Sequence, residues 1–407
     1  MRLLFLNQWF DPEPCMKGLD FTEALVDRGV SVTVVTGTPN YPTGVVYPGY
    51  RNQWHRVDTQ GRTVVHQVAV YPSHDGNAIK RVLNYASFFV TGLWRMVRLA
   101  RSADVLYAYH PPLTVPFATV LVAKAFRKPS VVEIQDLWPE SLAATGMADH
   151  RVVLRVVGAM ARFVYRHADV VIAQSDGFRT AIVERGAAPD DVVVIYNWTD
   201  ESVLLDSAEP PVVTLASAAT PDEVHVLYAG NLGPAQDLDL VLDAASILRA
   251  VGDRVRVHLM GTGQSEAHLR RRVADEHLDN VTFHAQQPRQ LVGPVLAQAD
   301  ALLVVLKDDP LFRITVPSKT QSSLAAGRPI LMAVAGEAAG LVERSGGGVV
   351  VEPGSARALV AAIRQVAAMS GKQRSAMGAA GRRFYLAEMS LAAGADATLA
   401  AVELVTG

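Results

Sequence analysis

The residues best suited to chemistry in this chain are glycine turns and cations that follow short apolar runs. In the second half, Tyr228–Gly233 reads YAGNLG and Leu259–Gly263 reads LMGTG, each after a strand pattern and before a helical one. Glycine lets the backbone approach a phosphate or ribose closely, and the next helix offers its first N–H groups to an anion. Gly230, Asn231, Gly233, Gln236, Gly261 and Gly263 are therefore candidate nucleotide-binding positions. Neither turn has the G-x-G-x-x-G spacing of a dinucleotide site, and no Walker lysine loop occurs. Either turn alone could equally be an ordinary strand-to-helix connection.

A second segment, Phe312–Leu331, reads FRITVPSKTQSSLAAGRPIL. Pro317 is placed to open a helix, with Arg313 and Lys319 on either side of its start. Two cations beside a helix N-terminus suit a diphosphate. Ser318, Gln321 and Ser322 offer hydroxyl and amide groups for a ribose. The alternative is a generic amphipathic helix.

In the first half, Val131–Ser141 (VVEIQDLWPES) runs from a β-branched strand into Gln135, Asp136, Trp138 and Glu140. Polar groups after a parallel strand sit on the ligand side of the sheet. Asp136 could orient an acceptor hydroxyl or take its proton; alternatively it caps a helix opened by Pro139. Thr36–Tyr50 (TGTPNYPTGVVYPGY) combines rigid turns with tyrosines, as an acceptor or lid loop would, or as a purely structural loop would. Tyr41, Tyr50 and Trp138 are candidate sugar-stacking rings, and His110, after an apolar run, could touch a substrate. The 11 histidines include no H-E-x-x-H pair and no carboxylate–histidine cluster at ligand spacing, so no metal site is expected. No G-x-S-x-G elbow is present.

These residues need strands to carry them. Apolar runs at Leu3–Leu6, Val32–Thr36, Val64–Val70, Val105–Tyr109, Val131–Ile134, Val170–Ala173 and Val192–Ile195 alternate with helical patterns near 17–28, 79–101, 114–127, 151–167 and 176–185. Continuous Val/Ile/Leu runs fit parallel strands covered on both faces. Asp200–Asp222, with Pro210, Pro211 and Pro221, breaks this rhythm and reads as an interdomain connection. A second series comes next. Its strands are Val224–Tyr228, Val255–Met260, Val281–His284, Ala301–Val305, Ile330–Ala333 and Gly348–Val351, with helices between them and a helical tail from Arg374 to Val405. The expectation is an α/β protein with two parallel sheets facing a cleft.

The 407 residues, half of them hydrophobic, can fill two cores. A net charge of −2 argues against general nucleic-acid binding. One cysteine, Cys15, excludes an intrachain disulfide and fits a reducing cytoplasm. Leu3–Leu6 is too short for a signal peptide, and no apolar run reaches the roughly 18 residues that span a bilayer. A soluble or peripheral protein is expected. Peripheral contact is suggested by Arg151, Arg155, Arg162 and Arg166, which share an arc of about 60° on one helix, and by Lys80–Arg101, where cations mix with aromatics. A solvated face above a buried one is the competing explanation.

TGTPNYPTGVVYPGY, IQDLWPES, AGNLG, GTG and FRITVPSKTQ…AAGRPIL occur in the order found in one family. Over nearly its whole length the chain resembles the retaining glycosyltransferases of family 4, in particular the bacterial O-antigen and capsule branch that includes an N-acetyl-L-fucosamine transferase. The resemblance implies the GT-B fold of two Rossmann-like domains, with the acceptor site in residues 1–200 and the donor site in residues 201–385. It also implies a C-terminal helix, residues 386–407, that crosses back to the first domain. Transfer would retain anomeric configuration without a metal. The broad family's Arg and Lys after the first strand of the donor domain correspond to Asn231 and Gln236 here, and its two Glu fall near Ile314 and Ser322. Arg313 and Lys319 are inferred to supply the missing cations. The family's N-domain His falls near Gln135 or Asp136, which favours Asp136.

The catalytic set is thus Asp136, Arg313 and Lys319. The donor set is Gly18, Gly230, Asn231, Gly233, Gln236, Gly261, Gly263, Gln286, Ser318, Gln321, Ser322 and Glu337, with the base against Gly261–Gly263 and Gln286–Gln287. The acceptor set is Tyr41, Tyr50, His110 and Trp138. No cofactor is expected beyond a nucleotide-sugar co-substrate, taken as UDP-linked and carrying an N-acetylated hexosamine or deoxyhexosamine. The acceptor is taken as a saccharide, free or lipid-linked, the latter at the inner face of the plasma membrane. A UDP-sugar 2-epimerase of the same fold, a transferase for soluble acceptors and a non-catalytic nucleotide-sugar binder are the alternatives.

Overall fold

The computed structural model describes residues 1–73, 78–140, 142, 151–204, 213–215 and 223–407. The chain divides into two compact units, Met1–Tyr196 with Leu391–Gly407, and Asn197–Ser390. Most of the expected connection, residues 205–212 and 216–222, lies outside the described residues.

The first unit is built on eight strands: β1 (Arg2–Leu6), β2 (Ser31–Gly37), β3 (His55–Gln60), β4 (Thr63–Val68), β5 (Val105–Tyr109), β6 (Ser130–Ile134), β7 (Val170–Ala173) and β8 (Val192–Val194). Their order is β3-β4-β2-β1-β5-β6-β7-β8. Every pairing is parallel except β3 with β4. The central strands β1, β5, β6 and β7 are buried almost throughout, which is why their sequences are continuous apolar runs. Strand β3 was not expected. HRVDTQ carries no apolar run because it is an edge strand, held by a hairpin that turns at Gly61 with φ +56°.

Right-handed crossovers set the layers. The helix Leu19–Asp27, between β1 and β2, lies on one face. Ala78–Leu99, Thr114–Phe126 and Arg151–His167, each leading to the next strand in the opposite direction across the sheet, lie on the other. The C-terminal helix Leu391–Thr406 packs on Leu19–Asp27, where Arg28 bonds Asp396 at 2.5 Å. The return to the first unit begins after Ser390, later than residue 386, because the preceding helix Gly371–Glu388 is tied to the second unit. There Gly378 lies so close to Gly327 that a Cβ would come 2.0 Å from its carbonyl oxygen. Against the sequence expectation, Gly371–Thr406 is long and apolar enough to cross a membrane by length and composition. It is nevertheless two helices, broken at Met389–Ser390 and packed in different units.

The second unit has six strands: β9 (Val224–Ala229), β10 (Val255–Met260), β11 (Val281–His284), β12 (Ala301–Val305), β13 (Ile330–Ala333) and β14 (Gly348–Val350). Their order is β11-β10-β9-β12-β13-β14, all parallel. The chain runs outward from β9 to β11 and then restarts at β12 on the other side of β9. The direction of winding therefore reverses between β9 and β12, and ligands bind beyond the strand ends at such a reversal. Val226, Val257, Leu259 and Leu303 anchor the core beneath it.

Candidate active site

The two glycine turns of the second unit are stitched together. Gly230 N–H donates to Met260 O (2.9 Å), Leu232 N–H to Thr262 O (2.9 Å) and Ser265 N–H to Leu232 O (2.8 Å). Two positions require glycine. Gly261 has φ +143°, and a Cβ there would sit 1.9 Å from Gly230 O. Gly230 has φ +142°, and a Cβ would sit 2.5 Å from Lys319 Cε. Such conformations exclude other residues.

Lys319 rises from the start of the helix Ser318–Ala326. Its Nζ donates to Gln236 Oε1 at 2.6 Å and lies 4.9 Å from the Tyr228 ring centre. Tyr228 in turn donates to Asn231 O at 2.6 Å. Among the described residues no carboxylate pairs with Lys319, and burial pulls its pKa down to about 8. These groups border a cavity of about 590 Å³ at the winding reversal. Leu227, Met260, Val292 and Leu302 give it apolar walls, while Asn231, Thr262, Gln286, Gln287, Arg289, Lys319 and Ser322 give it polar ones. Its lining includes two cations and no carboxylate among the described residues. A planar apolar group bearing an anion matches that distribution.

Of the expected donor set, Gly230, Asn231, Gly261, Gln286, Lys319 and Ser322 line the cavity; Gly233, Gln236, Gly263, Ser318, Gln321 and Glu337 do not. Gln236 acts through Lys319. Gly233 and Gly263 serve the turn: a Cβ on Gly263 would lie 2.5 Å from Leu232 O. Gln321 is a correction. It is buried, and its amide nitrogen, oriented to satisfy its neighbours, donates to Pro317 O at 2.6 Å, so it holds the helix start. Glu337 is the first residue of its own helix, where a carboxylate complements the dipole.

Arg313 is a second correction. It is exposed, lies outside the cavity lining and grips Asp308 through two 2.6 Å bonds. Its backbone is wedged against Gly336, where a Cβ would fall 1.9 Å from Arg313 O. The cation brought to the cavity with Lys319 is Arg289, which also bonds Asp200 at 2.9 Å. It comes after the QQP stretch beyond β11, and its place just past the end of a parallel strand is the signal that could have found it.

Histidines also assemble in a way the sequence did not suggest. His225 Nδ1 lies 3.0 Å from His258 Nε2, and His258 Nδ1 lies 2.9 Å from His284 Nε2. Neighbouring parallel strands place them in a line. Burial holds all three pKa values down, that of His258 to about 3. Their nitrogens face one another rather than a common point, and no three ligand side chains converge on a metal position among the described residues.

In the first unit the polar groups gather at the ends of β5 and β6. Gln135 N–H donates to His110 Nδ1 at 3.4 Å, so the neutral ring carries its proton on Nε2, a buried atom with no hydrogen-bond partner among the described residues. Burial lowers the His110 pKa to about 3. The ring meets Trp138 edge-on at 5.6 Å. Both side chains are buried, so Trp138 does not offer an open stacking face and His110 is packed rather than exposed. Asp136 is half-buried, and burial raises its pKa.

Tyr41 and Tyr50 are half-buried on the expected loop. Tyr41 packs on Trp9 at 4.8 Å, and Arg56 lies over Tyr50 at 5.9 Å. The loop is held by Glu13, a residue sequence reasoning missed: its Oε1 accepts the N–H groups of Asn40 (2.6 Å) and Tyr41 (2.7 Å), and burial pushes its pKa up to about 7. Also missed was a buried ion pair, Lys17 Nζ to Glu133 Oε2 at 3.3 Å, with Tyr107 and Gln135 donating to the same carboxylate. It fixes the loop bearing Gly18. A Cβ on Gly18 would lie 2.2 Å from Asp11 Oδ2, the oxygen that accepts Leu19 N–H at 2.6 Å. Gly18 is thus required by its turn.

Residues 19–198 match the family described as glycosyl transferase 4-like domain, and residues 223–369 match glycosyl transferases group 1. The chain is 28% identical over 355 residues to WcaI of Escherichia coli strain K12, provisionally named a colanic acid biosynthesis glycosyl transferase, covering 85% of this chain and 86% of that protein. It is 22% identical over 275 residues to WbjE of Pseudomonas aeruginosa, provisionally a glycosyltransferase, covering 67% and 68%. Its fold is similar to that of HepE from Anabaena in complex with UDP, with a TM-score of 0.65, 15% identity and coverage of 99% and 100%.

Proposed function

We propose that this chain, a glycosyltransferase of the GT-B type, moves a sugar from a UDP-sugar to an acceptor hydroxyl, with retention at the anomeric carbon and without a metal ion. One observation carries the reading: a cavity lined by cations and, among the described residues, no carboxylate, over an apolar wall, at two glycine turns that bring backbone N–H groups close. The base would rest against Thr262, Gln286 and Gln287, with the diphosphate toward Lys319 and Arg289. Complexes of HepE with UDP and with UDP-glucose, on a similar fold, support the choice of UDP.

The chemistry asks mainly for charge stabilisation. As the glycosidic C–O bond breaks, the departing diphosphate gains negative charge, which the Lys319 ammonium is positioned to meet. The incoming hydroxyl attacks on the face the diphosphate leaves, and its proton passes to the leaving phosphate oxygen. Asp136 would orient that hydroxyl. Holding both partners in line can remove roughly 7–11 kcal/mol of the barrier. Arg289 replaces Arg313 as second cation in this scheme.

We take the transferred sugar to be an N-acetylated hexosamine or deoxyhexosamine. We take the acceptor to be a lipid-linked saccharide of surface polysaccharide synthesis, at the cytoplasmic face of the membrane; the name of WcaI supports that setting. The test is thermal unfolding with a panel of nucleotides and nucleotide-sugars, with and without EDTA. Selective stabilisation by UDP and one UDP-sugar, unchanged by EDTA and lost in Lys319→Ala, is the expected result. No stabilisation by any nucleotide would overturn the reading. Conversion of a UDP-sugar to a new UDP-sugar with no acceptor present would point instead to an epimerase.

A further inference from the structure

The two cations of the cavity wall are not equivalent. Lys319 has neutral partners among the described residues, so its charge faces the cavity uncancelled. Arg289 also lines the cavity, yet it is already paired: its Nη2 lies 2.9 Å from Asp200 Oδ2, a carboxylate that stands outside the lining. Asp200 has a particular place in the chain. The first unit ends at Tyr196 and the second begins at Asn197, so residues 197–204 are the segment by which the chain enters the second unit. Its last part, Glu201–Leu204, is a single helical turn. That turn packs on both helices whose first residues supply the cavity's cations, Arg289–Leu296 and Ser318–Ala326. The first of these contacts is backbone to backbone, since a Cβ on Gly293 would fall 2.3 Å from Val203 O. Tyr385 holds the segment as well, accepting Thr199 N–H at 3.2 Å and donating to Glu201 Oε1 at 2.8 Å. Arg289 thus belongs both to the cavity wall and to an ion pair with the entry segment.

That ion pair is built to be exchanged. The side chains of Arg289 and Asp200 are 59% and 25% exposed, and a pair that water reaches holds its partners weakly. Asp200 keeps a second partner, because the Ser202 hydroxyl donates to its Oδ1 at 2.6 Å. Losing Arg289 therefore leaves the carboxylate hydrated and hydrogen-bonded, where a buried one would be orphaned. A diphosphate offers a guanidinium several acceptor oxygens and more negative charge than one carboxylate, in the fork geometry that arginine favours. Placed in the cavity, the stronger anion takes the cation.

We infer that Asp200 is an internal competitor for the donor's diphosphate: an anion in the cavity draws Arg289 away from Asp200 and so loosens the segment by which the chain enters the second unit. The inference rests on the donor reading of the cavity. Linkage makes the effect reciprocal. The hold of Asp200 on Arg289 weakens anion binding, and the bound anion weakens the hold on the segment by the same factor. The charge of the ligand is what counts, so a nucleoside without phosphate fills the base end of the cavity and leaves the ion pair in place.

The test is titration calorimetry of the full chain with UDP and with uridine, joined to hydrogen exchange. Asp200→Asn keeps the side chain's shape and its bond from Ser202 and removes the competing charge. It is expected to bind UDP about two- to fivefold more tightly, the factor that a solvent-exposed ion pair holds back, and to bind uridine as the parent chain does. In an Arg289→Ala background the same change is expected to have no effect. UDP is expected to raise the exchange of amides in residues 197–204 of the parent chain and uridine to leave it unmoved. Asp200→Asn should show the raised level with no ligand. Equal or weaker UDP binding by Asp200→Asn, an equal gain for uridine, or a segment that UDP leaves unchanged or protects would overturn the inference while the donor reading stands. A parent chain that binds no UDP would overturn the donor reading, and this inference with it.

Discussion

The two units each bury a lysine, and the two lysines serve opposite ends. Lys17 in the first unit is fully buried and Lys319 in the second is largely so; burial brings both amines down to about 8. Lys17 meets Glu133, and its charge is consumed in holding a loop to β6. Lys319 meets only Gln236 and the Tyr228 ring among the described residues. Neutral partners position the ammonium without cancelling it, so its charge stays available to an anion. A displaced pKa therefore does not distinguish the two lysines; the partner does.

The contrast breaks most visibly on stability. Lys17→Met leaves Glu133 buried without its cation and is expected to cost about 3–5 kcal/mol in denaturant unfolding. Lys17→Met with Glu133→Gln together should recover most of that loss. A single-variant cost below about 1 kcal/mol would mean that Tyr107 and Gln135 satisfy the carboxylate without the lysine.

Lys319→Met should show the reverse pattern. Turnover is expected to fall by about 10²–10³, which corresponds to roughly 2.7–4 kcal/mol of lost charge stabilisation. The unfolding midpoint should stay close to that of the parent chain, since no buried carboxylate is orphaned. Steady-state rates and melting curves on one preparation separate the two effects.

The glycine turns sharpen the comparison further. Gly261→Ala forces an L-residue to φ +143° with its Cβ against a backbone oxygen. A cost of about 1–3 kcal/mol is expected, together with loss of UDP-induced stabilisation. In the first unit, Gly18→Ala meets the Asp11 carboxylate, a side chain that can turn away. It should cost about 1 kcal/mol, through the lost bond to Leu19 N–H.

The smallest effect is on pH. In the proposed complex, phosphate pairing is expected to raise the Lys319 pKa above its value of about 8 in the free protein. On the proposed donor reading, UDP affinity is therefore expected to be full well below pH 8 and to decline as pH rises through it, by about tenfold for the first unit beyond. Calorimetric titration should show this fall in the parent chain and its absence in Lys319→Met.

Much of the fold was legible along the chain. Buried parallel strands are covered on both faces, so their apolar runs appear as contiguous text. β10, β11, β12 and β13 begin and end where the pattern indicated. Glycines that come after such strands announce turns, and Lys319 at a proline-opened helix announced a cation. Local patterns do not report partners distant in sequence. Arg313 and Arg289 look alike in the sequence; only packing left one outside the cavity on Asp308 and set the other at the cavity wall, where it also bonds Asp200. Edge strand β3 lacked an apolar run because half of it faces water. The pairing of Lys17 with Glu133 and the line of His225, His258 and His284 join residues brought together by strand order. Periodicity of burial is a property of each segment and is written in it, whereas which charge meets which is decided by the sheet, where residues distant in sequence become neighbours.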